Sequence, residues 1–220
     1  MKNEISINNL HREELDTRLY DLILEVKIAF GIKEKLNVII YDDPNYQPNL
    51  YGGDRLLITR SVFKKINIIE TPEEFKSLIA HECSHISHKD YFYRSIFAAG
   101  CIFSFIIVYG LANNIFKNFY ISIPLGLVYI IVVGRIFYWR SRMVEFRCDK
   151  EAANITKNPC ALIEAHKKMY IKFTEVKDTL RIDERIKICV RRCWHFIFGA
   201  SHPTIDERIK VIESSKIGSL

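Results

Sequence analysis

The chain has 220 residues, of which 49% are hydrophobic and 26% are charged, and its formal net charge is +6. This composition excludes an intrinsically disordered chain, and the length favours one catalytic unit over two full domains. Six cysteines are too few for a secreted disulfide scaffold of this size, which favours a reducing compartment.

The N-terminal region is predicted to form a helix followed by a small sheet. Residues 1–26 carry charged side chains where a cleavable export signal needs an apolar core, so no such signal is expected. Apolar residues recur at three- and four-residue intervals over residues 10–30, which predicts an amphipathic helix that Gly31 ends. Strands are predicted at Asn37–Tyr41 and Arg55–Thr59, the second after a Gly-Gly-Asp turn.

A second helix is predicted from the residues that begin it. Thr71, Pro72 and Glu74 supply a capping hydroxyl, a proline at the first helical position and a capping-box carboxylate. Apolar residues follow at helical spacing and give the helix a face to bury. The stretch LIAHECSHISHKD, residues 78–90, is therefore predicted to lie on a helix.

Two histidines four residues apart lie in this stretch. His81 and His85 share one helix face and can present two imidazole nitrogens to a single ion. Glu82 lies beside them without being a required ligand, which suits a base that takes a proton from water activated by the metal. The alternative is a pair of solvated surface histidines, and the capped helix favours the metal site over it.

Two long apolar runs follow the histidine motif. Residues 95–112 hold no charged residue, and residues 119–138 hold only Arg135. Each run is long enough to cross a hydrocarbon layer of roughly 30 Å, and aromatic residues flank the ends. The excess of Lys and Arg outside the turn predicts a transmembrane hairpin with both termini in the cytoplasm. The alternative is a pair of buried helices in a soluble core.

An acidic pair lies just after the second apolar run. Glu145 and Asp149 are four residues apart, again on one helical face. Glu145 would complete a shell of two histidines and one carboxylate, which is typical of catalytic zinc with a position open to water. Asp149 could accept the outer N–H of a ligand histidine and fix its orientation. The alternative is a surface helix with mixed charges.

The C-terminal stretch ASHPTIDERIK contains His202 and, six residues later, Arg208. Peptide hydrolysis passes through an oxyanion that a nearby His or Arg can stabilise, although by spacing alone His202 is equally a loop residue. The run before it, residues 181–199, mixes basic and aromatic side chains. It is either a helix along an anionic membrane surface or an ordinary core helix.

Three separated motifs, HECSHISHKD, EFRCD and SHPTIDERI, occur in this order with the hydrophobic hairpin between the first two. In this arrangement the chain resembles the HtpX-like and CAAX-prenyl-protease-like zinc metalloproteases of peptidase family M48, over about residues 30–212. HtpX proteins have a further pair of spans before the catalytic domain, where this sequence predicts a soluble helix. The prenyl-protein proteases have many more spans and an enclosed chamber, so prenyl substrates are not expected.

The resemblance implies a role for each matching residue. It implies zinc (Zn²⁺) as the cofactor, with ligands at His81, His85 and Glu145. It also implies Glu82 as general base and acid, Asp149 beside the ligands, His202 and Arg208 on the substrate carbonyl and transition state, and a structural role for Asp90. A strand near Leu56–Thr59 would be the edge strand that pairs with an extended substrate chain.

Together these features predict an α+β, mainly α, zincin-like metalloprotease domain with a small β-sheet and an inserted transmembrane helical hairpin. Residues 1–94 and 139–220 are predicted to form the catalytic domain, and residues 95–138 the hairpin.

The expected function is that of a membrane-bound zinc metalloendopeptidase in membrane protein quality control, with its active site on the cytoplasmic side of a bacterial cytoplasmic membrane. The expected partners are peptide or protein substrates, chiefly membrane proteins, and the lipid bilayer, with no nucleic acid. The alternatives are a catalytically silent membrane protein that binds or regulates, and a soluble metal-binding module.

Overall fold

The computed structural model describes residues 17–33, 36–41, 49–50, 55–59, 62, 66, 70–117, 119–175 and 202–217. These residues form helices α1 (Thr17–Ala29), α2 (Pro72–Ser87), α3 (Asp90–Phe116), α4 (Phe119–Thr156), α5 (Pro159–Glu175) and α6 (Ile205–Ile217). The strands are β1 (Asn37–Tyr41), β2 (Asn49–Leu50) and β3 (Arg55–Thr59).

The described residues group into two compact units. The first takes in the described parts of residues 1–92, 146–177 and 204–220, and the second those of residues 93–145 together with His202 and Pro203. The predicted stretch 181–199 lies outside the described residues.

Helix α1 buries one face in the core of the first unit, through Leu19, Ile23 and Val26. After the helix, Gly31 takes a φ of +62° and its N–H binds the carbonyl of Ile28. The N–H of Ile32 binds the carbonyl of Lys27, which completes a Schellman motif. The predicted end of the helix at Gly31 is confirmed, whereas residues 10–16 lie outside the described residues.

The sheet has the strand order β1-β3-β2, and β1 and β3 occupy the predicted ranges. Strand β3 pairs in parallel with β1 and antiparallel with β2, so that Leu56 faces Val38 on one side and Leu50 on the other. The expectation that Leu56–Thr59 forms the edge strand is wrong at Leu56 and Leu57, because the chain that precedes β3 folds back to pair with these two residues. Within the described sheet the edges are β1 and β2, and β2 lies against helix α2.

Helix α2 begins at the predicted position but is not capped as predicted. Thr71 is the N-cap residue and Pro72 follows it, yet the Thr71 side chain makes no capping hydrogen bond. Both carboxylate oxygens of Glu74 instead accept hydrogen bonds of 2.7 Å from Nζ of Lys168 on α5. The capping-box prediction is wrong, because a cation distant in sequence competes for this carboxylate.

The core of the first unit surrounds α2, which packs against α1 and α5, while α6 packs against α5. The largest fully buried apolar side chains of the helices include Val26, Phe75, Ile79, Leu162 and Ile212. Burial of each such side chain contributes about 1.5–3 kcal/mol. This packing holds the histidine helix rigidly within the unit.

Helices α3 and α4 carry the two predicted apolar runs. Both are long and apolar enough to cross a membrane, with mean hydropathies of 2.1 and 2.0, and only 6% and 11% of the apolar stretches is buried. The run 119–138 is only the first part of α4, which continues without a break to Thr156. One helix therefore joins the second candidate span to the acidic pair.

Two arginines stack across this helix pair in the second unit. The guanidinium of Arg94 lies 5.3 Å from the ring centroid of Phe137, and that of Arg140 lies 4.9 Å from the ring centroid of Phe97. The two phenylalanine rings are themselves stacked, with centroids 5.9 Å apart. Reciprocal cation–π contacts of this kind stabilise the pairing of α3 with α4.

Candidate active site

Helix α2 places His81, Glu82 and His85 together in the first unit. His81 and Glu82 are buried and His85 is half-buried, because the helix packs on its neighbours along this face. The two histidine rings meet edge to face with centroids 5.0 Å apart, and a ligand atom of one lies within 4.8 Å of a ligand atom of the other. Since zinc–nitrogen bonds are about 2.0–2.1 Å long, both rings can reach one ion.

Asp149 holds the first of these histidines. Its Oδ1 atom lies 2.9 Å from Nδ1 of His81, and the carboxylate is fully buried. Burial alone would raise the pKa of Asp149, but hydrogen bonds from His166, His81 and Arg208 hold it well below its usual range. Because an ionised carboxylate only accepts hydrogen bonds, Nδ1 of His81 carries the proton and Nε2 keeps its lone pair.

Arg208 on α6 binds the same carboxylate through two nitrogens. Its Nε donates to Oδ2 of Asp149 at 2.7 Å and its Nη2 donates to Oδ1 at 2.6 Å. The Nη2 atom also lies 3.3 and 3.4 Å from the two ring nitrogens of His81. This bidentate pair compensates the buried negative charge and brings a cation to the face of the first histidine.

Asp90 and Arg147 repeat this arrangement at the second histidine. Oδ2 of Asp90 lies 2.9 Å from Nδ1 of His85, and Nη2 of Arg147 donates to the same oxygen at 2.5 Å. On an unbroken helix a residue five positions on is turned away by about 140°. Lys89 has a φ of +53°, in the left-handed region, and this break between α2 and α3 lets the carboxylate return to His85.

The donor set of the first unit fits a zinc ion. Both histidines have Nδ1 engaged by a carboxylate, and each carboxylate is engaged by an arginine. The Nε2 atoms are therefore the ring nitrogens that could bind a metal, as in the carboxylate–histidine–metal arrangement that fixes tautomer and ring orientation. Borderline-soft imidazole nitrogens beside a carboxylate suit zinc better than they suit calcium or magnesium.

Glu145 and His202 lie close together in the second unit. Nε2 of His202 lies 3.6 Å from Oε1 of Glu145, with 66% of the histidine side chain exposed. Glu145 is half-buried on α4, one helical turn before Asp149. Residues four apart on an unbroken helix share one face, so Glu145 and Asp149 project from the same side of α4.

His166 and Arg147 belong to this site and were missed in the sequence. Nε2 of His166, on α5, lies 3.1 Å from Oδ1 of Asp149. Burial lowers the pKa of His166 to about 4, against the opposing effect of Asp149, so the imidazole is neutral at physiological pH. A histidine on the buried face of an amphipathic helix was the available signal. Arg147 had none beyond its position inside the EFRCD motif.

The cysteines beside the motif residues are buried. Burial, with the charge of Glu82 as a lesser cause, raises the pKa of the Cys83 thiol to about 12, so that thiol stays protonated and unreactive. Sγ of Cys148 lies 3.4 Å from Nδ1 of His85 and 3.8 Å from Oδ2 of Asp90. It fills the space between α2 and α4 beside the second histidine.

Comparison with known proteins gives consistent matches. The sequence model of peptidase family M48 matches residues 13–216. A protease HtpX homolog from Bacteroides fragilis strain YCH46 is 29% identical, over 93% of this chain and 70% of that protein. A protease HtpX homolog from Dictyoglomus turgidum is 27% identical, over 94% of this chain and 74% of that protein. One from Salinibacter ruber is 29% identical, over 69% of this chain and 55% of that protein.

Proposed function

This chain belongs to peptidase family M48, and we propose that it is a membrane-bound zinc metalloendopeptidase with His81, His85 and Glu145 as its metal ligands. The observation that carries the proposal is the contact of a carboxylate with Nδ1 of each histidine, at 2.9 Å in both cases. Metal-ligating histidines usually donate their second ring N–H to a carboxylate, and both histidines here have such a partner.

Helix α4 supports Glu145 as the third ligand. Asp149 touches His81, and Glu145 lies one turn before it on the same face of the same helix. When bound by two imidazoles and a carboxylate, zinc supplies Lewis-acid polarisation of water and of the peptide carbonyl.

Glu82 performs the proton transfers. It follows the first ligand histidine directly on α2 and is buried, so its carboxylate works in a site with little bulk water. As general base it accepts a proton from the attacking water. As general acid it then returns that proton to the amine of the departing peptide.

His202 and Arg208 stabilise the oxyanion that develops on the substrate carbonyl. His202 is exposed and can donate from its ring to an incoming carbonyl oxygen. Arg208 is fixed by Asp149 and holds its positive charge against the ring of His81. The positive charge of Arg208 thus lies beside a proposed zinc ligand. There it can stabilise the negative charge that develops on the substrate oxygen during the reaction.

The substrate chain binds in an extended form against the edge strand β2. In the described sheet β3 is flanked on both sides, and β2 is the strand that lies against the histidine helix. A peptide that adds to β2 by backbone pairing runs past α2. This assignment replaces the expected one at Leu56–Thr59.

The wider proposal is a zincin-like catalytic domain, from residues 1–94 and 139–220, with the hairpin of residues 95–138 as its membrane anchor. Exposed apolar side chains along α3 and α4 support two spans. The excess of Lys and Arg outside the hairpin turn supports a cytoplasmic active site. The proposal places the chain in a bacterial cytoplasmic membrane, with quality control of membrane proteins as its role. The bacterial relatives named as protease HtpX homologs support the protease activity.

The test is proteolysis of an unstructured protein substrate by detergent-purified chain supplied with zinc, beside its Glu82→Gln variant. Glu82→Gln keeps the shape of the site and removes the proton acceptor. We expect cleavage by the wild type and its loss, by at least about 100-fold, in the variant. If the wild type binds zinc but shows no cleavage that Glu82→Gln abolishes, the chain is a catalytically silent member of the family.

A further inference from the structure

His166 is a second histidine on the carboxylate that holds His81. Its Nε2 atom lies 3.1 Å from Oδ1 of Asp149, the oxygen that also lies 2.9 Å from Nδ1 of His81. The rings of His81 and His166 meet edge to face with centroids 5.7 Å apart. The catalytic steps described above make no use of this buried histidine.

Three helices converge with hydrogen-bond donors on one carboxylate of a fourth. Asp149 on α4 is fully buried and pairs with a guanidinium through both of its oxygens, so both oxygens accept hydrogen bonds. Arg208 from α6 donates to both oxygens. His81 from α2 and His166 from α5 donate to Oδ1. The donation from His166 requires the tautomer with its proton on Nε2.

These contacts have a directional consequence for Oδ1. Arg208 holds the carboxylate in the plane of its guanidinium, through both carboxylate oxygens. His166 approaches from another helix and adds a further restraint on Oδ1.

The alternative is a metal held by the same atoms, since ligand atoms of His81, Asp149 and His166 lie within 4.8 Å of one another. The position of Arg208 argues against this. Its Nη2 atom is 2.6 Å from Oδ1 of Asp149, so a divalent cation on that oxygen would sit beside a guanidinium in a buried site. Repulsion between these like charges is strong where water cannot screen it.

We infer that His166 is a positioning residue, which holds Oδ1 of Asp149 against Nδ1 of His81 and so keeps Nε2 of His81 directed at the zinc. The inference rests on the proposed function, because it concerns the orientation of a proposed zinc ligand. Groups of this kind typically change metal affinity by about 10- to 100-fold when they are removed.

The experiment measures the zinc dissociation constant of the detergent-purified chain by competition with a chelator, for the wild type, His166→Leu and His166→Gln. Leucine fills the space without a donor, so we expect about 10- to 100-fold weaker zinc binding. Glutamine can donate its side-chain N–H to Oδ1 of Asp149, so we expect it to restore most of the affinity. At saturating zinc, kcat should fall in His166→Leu while KM stays unchanged, since His166 does not touch substrate.

Ile163→Ala is the matched control, because Ile163 is a buried residue one turn earlier on α5 whose side chain can donate no hydrogen bond. It should lower the melting temperature and leave zinc affinity unchanged. Equal zinc affinity in wild type and His166→Leu would overturn the inference, as would an equal loss in His166→Leu and Ile163→Ala. Two zinc ions in the wild type and one in His166→Leu would make His166 a ligand instead. A wild type that takes up no zinc contradicts the proposed function itself, and the inference with it.

Discussion

The Nδ1 atom of His85 lies 2.9 Å from Oδ2 of Asp90, across the break that ends one helix and begins the next. Arg147 donates to the same carboxylate oxygen at 2.5 Å. The orientation of His85 therefore depends on a residue outside the segment His81–His85. Asp90 is also the first residue of α3, a candidate membrane-spanning helix.

Asp90→Asn should weaken zinc binding by about 10- to 100-fold, because the amide keeps the shape of the side chain and removes the charge that orients His85. The measurement is chelator competition on the purified protein. Glu25→Gln is the control, since it also removes one carboxylate from an ion pair, here an exposed one with Lys76 at 2.6 Å. An equal zinc affinity in Asp90→Asn and Glu25→Gln would contradict the role of Asp90.

Arg208→Gln should destabilise the fold by about 3–5 kcal/mol, because it leaves the fully buried charge of Asp149 without its bidentate partner. The free energy of unfolding in detergent is the quantity to measure. Lys168→Gln breaks the ion pair with Glu74, in which the lysine side chain is 38% exposed. This variant should lower the free energy of unfolding by about 1 kcal/mol or less. If the two variants lose the same stability, Arg208 does not compensate a buried charge.

The sequence predicts much of the fold because its strongest signals are local. Strands β1 and β3, the start of α2 and the end of α1 at Gly31 follow from turn residues and apolar periodicity. The family could be predicted because its motifs are short and keep their order along the chain. The match of the family model to residues 13–216 confirms it.

The errors and omissions concern partners that give no local signal in the sequence. Glu74 was predicted to cap its own helix, and it pairs with Lys168 instead. Strand β3 was predicted to be an edge, and it is flanked by β2, whose two residues are too short to stand out as a strand. His166 lies in no recognisable motif. It reaches Asp149 only because α5 packs on the histidine helix.

The stability of the metal-free protein should fall as the pH drops from about 6.5 toward 4, in part through His166. Its pKa is lowered from 6.5 to about 4 in the folded protein, so the unfolded chain binds more protons within this window. Stability from this group is fully present above pH 6.5 and lost toward pH 4, by up to about 3 kcal/mol. Denaturant unfolding at several pH values measures the slope.

His166→Gln removes the titrating group, so the variant should show a flatter dependence of unfolding free energy on pH than the wild type. The comparison cancels the contributions of the other histidines and carboxylates. Parallel curves for the two proteins would mean that His166 is not held neutral by burial.

The chain should stay in the membrane pellet after an alkaline carbonate wash. Phe103 and Ile106 on α3 are 65% and 61% exposed, and such side chains along a long apolar helix are suited to lipid rather than water. Ile106→Arg should hinder insertion, since an arginine at the centre of a span costs about 2.5–3.5 kcal/mol. Release of the wild type into the wash would show a soluble protein.

The central claim is that residues from separate parts of the chain bind one catalytic zinc ion. Its most direct test is the zinc content and zinc affinity of the purified wild type beside its Glu145→Ala variant. We expect one zinc per chain in the wild type, and a loss of affinity of at least about 100-fold when the carboxylate ligand is removed. A wild type without zinc, or a Glu145→Ala variant that holds zinc as tightly as the wild type, would contradict the claim.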